Sequence, residues 1–115
     1  MYKTEVMNIG KDANAFKAEK MAILFGDNAP QALVDYCFVI NKNQVISDVT
    51  EDHSLFIDNV EYAITKVGSA VTKNLNDLGH ITLKFDGSQV AEQSGTLYLE
   101  DKEYDIKEGS VLEIK

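Results

Sequence analysis

Residues 71–87 read VTKNLNDLGHITLKFDG, and within them the hydrophobic period changes from that of a helix to that of a strand. Val71, Leu75 and Leu78 recur at helical spacing and share one face. Gly79 follows where a left-handed residue would end the helix. From there Ile81, Leu83 and Phe85 alternate with His80, Thr82 and Lys84, so a strand that buries the first set presents His80 on its polar face. Asp86-Gly87 marks the turn that ends it. One of only two histidines in the chain is thus delivered from a helix end to a strand start.

Outward from this corner the chain reads mostly as short strands. Tyr2 to Ile9 gives a loose strand ending at Gly10, and Met21 to Phe25 is an apolar run closed by Gly26-Asp27-Asn28. Lys11 to Lys20 reads as an irregular loop or a single helical turn. Pro30 before Gln31 to Asp35 suits the first turn of a short helix, where its missing N–H is no loss. Tyr36 to Ile40 reads as a strand, with Asn41 to Gln44 as a reversal into Val45 and Ile46. Leu55 to Ile57 and Val60 to Val67 flank Asp58-Asn59, a two-residue hairpin signal. Thr96 to Leu99 and Tyr104 to Ile106 flank Asp101-Lys102 as a second hairpin, and Val111 to Ile114 closes the chain. The expectation is an all-β single domain over residues 1–115, a small barrel or sandwich of about seven to nine short strands with one or two short helices.

Charge excludes several function classes. Eleven Lys plus Arg stand against 19 Asp plus Glu, a formal net charge of -8 that repels nucleic-acid backbones and anionic membranes. A basic protein surface would be attracted instead. No apolar run approaches the roughly 20 residues of a membrane span, and the N-terminus lacks the pattern of a secretory signal, so a cytoplasmic protein is expected. The single cysteine, Cys37, sits in an apolar run and reads as a buried thiol. Two histidines and one such thiol make no metal set, and no glycine-rich phosphate loop or nucleophile elbow is present, so no cofactor is expected. Exposed strand edges on such a domain would leave homo-oligomerisation open.

Ala29-Pro30, Tyr36-Cys37-Phe38, Val67-Gly68-Ser69, the block Leu78 to Gly87 and Gly109-Ser110-Val111-Leu112 together resemble the glucitol/sorbitol-specific IIA component of the bacterial phosphoenolpyruvate-dependent sugar phosphotransferase system, over the whole length. The resemblance implies a cytoplasmic all-β domain that takes phosphate onto a histidine from a small phosphocarrier protein and passes it to the IIB domain of a sugar transporter. In the resembled pattern the accepting histidine directly follows Cys-Phe-Ile, with a second histidine two positions later. Here Ile40 follows Cys37-Phe38-Val39, and Lys42 holds the second place. Isoleucine offers no nitrogen lone pair, so phosphate cannot be carried at residue 40.

His80 is then the candidate catalytic residue for any phosphoryl transfer, set against a structural reading in which its ring bonds a backbone carbonyl at the helix-to-strand corner. His53, in the loop Thr50 to Ser54, reads as a solvated surface side chain. Lys42 with Asn41 and Asn43 reads as turn chemistry before it reads as an anion site. Glu51/Asp52 and Glu100/Asp101 read as solvated charges. The alternative to a phosphate carrier is a non-catalytic interaction or regulatory module that keeps the fold, and a small-molecule-binding barrel is a third reading.

Overall fold

In the computed structural model, which describes residues 1–115, eight strands close into one barrel. In chain order they are β1 (Tyr2–Ile9), β2 (Met21–Gly26), β3 (Phe38–Ile40), β4 (Ser54–Ile57), β5 (Val60–Val67), β6 (Ile81–Lys84), β7 (Thr96–Leu99) and β8 (Val111–Ile114). Around the wall the order is β1-β3-β2-β6-β7-β5-β4-β8, and β8 pairs back onto β1. Two neighbouring pairs, β2 with β3 and β6 with β7, are parallel; the rest are antiparallel. Each parallel pair needs a crossover. Helix α1 (Gln31–Val34) lies in the first, and residues 85–95 form the second without a helix.

Alternation along the strands fills the interior. Val6, Leu24, Phe38, Ile40, Leu55, Ile57, Ile64, Ile81, Leu83, Leu97, Leu99, Leu112 and Ile114 all belong to one buried cluster. Each such side chain removed from water contributes about 1.5–3 kcal/mol, so the barrel is a packed core and not a ligand cavity. That argues against the small-molecule barrel. Helix α2 (Val71–Leu78) adds Val71 and Leu75 to this core and turns Thr72, Asn74 and Asn76 away from it. At the other end Phe85 stacks on Tyr104 at 4.8 Å and meets Tyr62 edge-on at 5.1 Å.

The predicted hairpin at Asp58-Asn59 is present, with φ of 48° and 69° at the two turn residues, the twist a two-residue hairpin requires. The predicted α2, its glycine cap and the strand after it are also present. Three expectations need correction. Val45 and Ile46 are not in a strand: Val45 N–H donates to Asn76 Oδ1 at 2.7 Å and Val49 N–H to Thr72 Oγ1 at 3.1 Å, so this segment hangs its backbone donors on α2. Tyr104 to Ile106 pairs with no strand; Tyr104 and Ile106 are buried, and the Tyr104 hydroxyl donates to Met21 O at 2.8 Å across the barrel mouth. Lys11 to Lys20 holds a seven-residue 3-10 helix, Ala13–Glu19, ended by Lys20 at φ 62°, which makes three short helices. Closure also removes the free strand edges on which oligomerisation was argued. No helix is long and apolar enough to cross a membrane.

Candidate functional site

Two glycines bring the end of β2 against the end of α2. A Cβ on Gly26 would lie 2.6 Å from Leu78 O, and one on Gly79 would lie 3.1 Å from Gly26 N. Gly79 also stands at φ 66°, where its N–H donates to Leu75 O while the N–H of His80 donates to Asn74 O. A side chain at either position would push the two backbones apart. Because they stay together, the chain leaves α2 directly beside β2 with the imidazole of His80 on the outer face of the wall.

That ring is fixed from two directions. It stacks on Phe25 with centroids 4.2 Å apart and planes 17° from parallel, and its Nδ1 lies 3.0 Å from Leu24 O. A carbonyl oxygen has no hydrogen to give, so Nδ1 donates and the lone pair of the neutral ring resides at Nε2. The expected structural bond to a backbone carbonyl is therefore present. The same bond selects the tautomer whose outer nitrogen is free to accept a proton or an electrophile.

His80 lines an open recess of about 260 Å³ together with Met21, Asn74, Thr82, Gln93, Gly95 and Thr96. No carboxylate and no lysine is among the lining residues. The lining comes from β2, α2, β6, β7 and the crossover before β7, and only His80 and Thr82 were adjacent enough in sequence to be foreseen. Thr96 reaches the recess because parallel pairing sets it opposite Thr82, a contact that no local pattern encodes.

The other candidate residues lie elsewhere. Ile40 points into the barrel, is fully buried, and packs near Gly79 on the inner side of the wall. Lys42 is exposed, with its Nζ 3.3 Å from Asp77 O in the last turn of α2. The three side chains do not converge on one cleft. Asn43 Nδ2 donates to Lys3 O at 2.7 Å and Asn41 Nδ2 lies 3.3 Å from Met7 Sδ, so the cluster around Lys42 fastens segments together and is not a hairpin tip.

His53 sits half-exposed in its loop, where Nδ1 accepts the Thr50 N–H at 3.0 Å. Its neutral ring thus has the opposite tautomer to that of His80. Cys37 is buried, its Sγ lies 3.2 Å from Leu33 O, and burial pushes its thiol pKa up, against a role as a thiolate. Of the acid pairs, Glu100 accepts Ala63 N–H at 2.8 Å and Asp101 meets Lys20 at 2.8 Å. These two serve local structure.

The sequence model described as the PTS system glucitol/sorbitol-specific IIA component matches residues 1–113. The chain belongs to that IIA family. Proteins named "PTS system glucitol/sorbitol-specific EIIA component" from Shigella flexneri and from Escherichia coli (strain K12) are each 34% identical to it over 116 aligned positions, spanning 100% of this chain and 94% of the relative. A crystal structure of a PTS system IIA component from Enterococcus faecalis V583 superposes with a TM-score of 0.83 at 31% identity, covering 97% of this chain and 98% of that one. The closed barrel is thus the architecture of a IIA component. For this IIA-family chain, an all-β barrel of the sugar phosphotransferase system, the family role is phosphoryl relay between a phosphocarrier and a IIB component.

Proposed function

We propose that this chain works in the cytoplasm as a glucitol/sorbitol-type IIA component that carries phosphate on Nε2 of His80. The observation that carries the reading is the Nδ1–H bond to Leu24 O, which in the neutral ring places the lone pair at Nε2, on a half-buried imidazole that opens onto an uncharged recess. In the forward step the Nε2 lone pair attacks the phosphorus of a phosphohistidine on the phosphocarrier protein. The new Nε2–P bond forms as the carrier's N–P bond breaks, and the electron pair of that bond returns to the carrier's imidazole. In the second step a nucleophile of the IIB domain takes the phosphoryl group and restores the neutral His80 ring. Leu24 O holds the Nδ1 hydrogen throughout and stabilises the positive charge that the ring develops as the bond to phosphorus forms.

The test is to incubate the protein with phosphoenolpyruvate, the general enzyme I and the phosphocarrier, then look for an acid-labile phosphate. The expected result is one phosphate per chain, lost in His80→Gln. Phosphate that persists in His80→Gln overturns the assignment.

A second reading, a module that docks on a phosphocarrier, a IIB domain or a regulator without being phosphorylated, is favoured by one observation: Ile40, where the resemblance implies the accepting histidine, is hydrocarbon buried in the core. Binding of the phosphocarrier with no phosphate gained would select it.

A further inference from the structure

We infer that the hydroxyls of Thr82 and Thr96, with the side-chain amide of Asn74, form a neutral cradle that receives the oxygens of a phosphoryl group or free phosphate at Nε2 of His80. The inference rests on the proposed His80 reading for its catalytic meaning, but the cradle itself rests on geometry. His80 and Thr82 are two positions apart, on the outer face of one extended segment whose intervening Ile81 is buried in the barrel. Thr82 and Thr96 are direct partners across the parallel β6–β7 pair, so their side chains stand side by side on that face. Asn74 closes the recess from α2. Gly95 lines the recess beside it, where a Cβ would come into ordinary contact with Asn74 Nδ2 at 3.4 Å.

All of these side chains line the one recess, and neither threonine hydroxyl nor the Asn74 amide is engaged by another protein group. Tyr2 is the only residue with a buried side-chain polar atom lacking a partner. Thr96, although 6% exposed as a residue, therefore keeps its hydroxyl open to the recess. Unpaired donors around a free imidazole nitrogen suit an oxyanion. Their neutrality suits a relay. With 19 acids and 11 bases in the chain, no carboxylate repels the anion here and no lysine holds it with a charge-assisted bond, which is roughly twice as strong as a neutral one. The phosphoryl group is steadied yet remains transferable.

Thr82→Val, Thr96→Val and the double substitution keep side-chain shape and remove the hydroxyls; Thr82→Ser restores one. Two readouts separate the cradle from its parent reading. In the first, the full chain is charged through the phosphocarrier. Uptake is expected to slow about tenfold for each lost hydrogen bond, with recovery in Thr82→Ser and an unchanged melting temperature. In the second, inorganic phosphate is titrated into the uncharged protein and followed by NMR at the amides of Thr82 and Thr96 and at the His80 ring. Shifts confined to the recess and weakened several-fold in the double variant support the cradle even if wild type takes no phosphate from the carrier. That failure would sink only the transfer reading. Phosphate that leaves these resonances unmoved, or a double variant that binds phosphate as wild type does, overturns the cradle.

Discussion

Ile40 and Tyr2 show how single side chains trade function against stability. Ile40 is fully buried on the inner side of the wall, paired with Val6 on β1 and Gly26 on β2. An imidazole there would have to be desolvated among hydrocarbon. Ile40→His is therefore expected to lower unfolding free energy by about 1–3 kcal/mol, measured by urea denaturation, while leaving any phosphorylation of His80 in place. Tyr2 gives the opposite case. Its buried hydroxyl has no partner in good hydrogen-bond geometry; the Thr4 hydroxyl is near enough to act on it but donates to Asn41 O instead. Tyr2→Phe removes that orphan and is expected to raise stability by about 1 kcal/mol, read as a melting temperature roughly 4 °C higher. A lower melting temperature would mean the hydroxyl is bonded after all.

The corner joining α2 to β6 depends on contacts that local sequence only half declares. Gly26→Ala places a methyl group 2.6 Å from Leu78 O, a backbone atom that cannot swing aside. The expected outcome is a loss of about 1–3 kcal/mol together with displaced NMR resonances of the His80 ring, because the same contact sets the ring beside Phe25. Much of this corner was legible in the sequence: the apolar face of α2, the Gly79 stop and the switch to a two-residue period are all local signals. Phe25 and Leu24 as partners of His80 were not, since β2 reaches β6 across more than fifty residues of intervening chain. The segment around Val45 misled for a related reason. Adjacent Val45 and Ile46 suggest a strand, yet Ile46 is exposed and the N–H groups of Val45 and Val49 find the side chains of Asn76 and Thr72. Tyr104 and Ile106 likewise look like an alternating strand but serve as a plug.

For the barrel as one body, buried phenols set an alkaline limit. Burial pushes Tyr2 and Tyr104 up to about 12 from an ordinary 10.0. A raised folded-state pKa means that the unfolded chain gives up these protons first. The stabilisation is complete below pH 10 and fades as pH rises toward 12, by about 2–3 kcal/mol for each tyrosine. Unfolding monitored by circular dichroism from pH 9 to pH 12 is expected to show this decline, reduced in Tyr2→Phe. All-β character and a single domain were readable from strand count and turn spacing, whereas closure was not, because it depends on pairings between distant strands.

The β1–β8 seam sets Tyr2 opposite Ile114, so the ring cannot be completed until those distant residues meet. Such a topology folds slowly, in milliseconds to seconds, and every intermediate that lacks the seam leaves β1 and β8 each bare along one side, or β1 and β4 where β8 has not yet docked. Those bare flanks are templates for pairing with another molecule. The hazard of clumping therefore falls in the time before the seam zips, and a truncation that deletes β8 would make that transient hazard permanent.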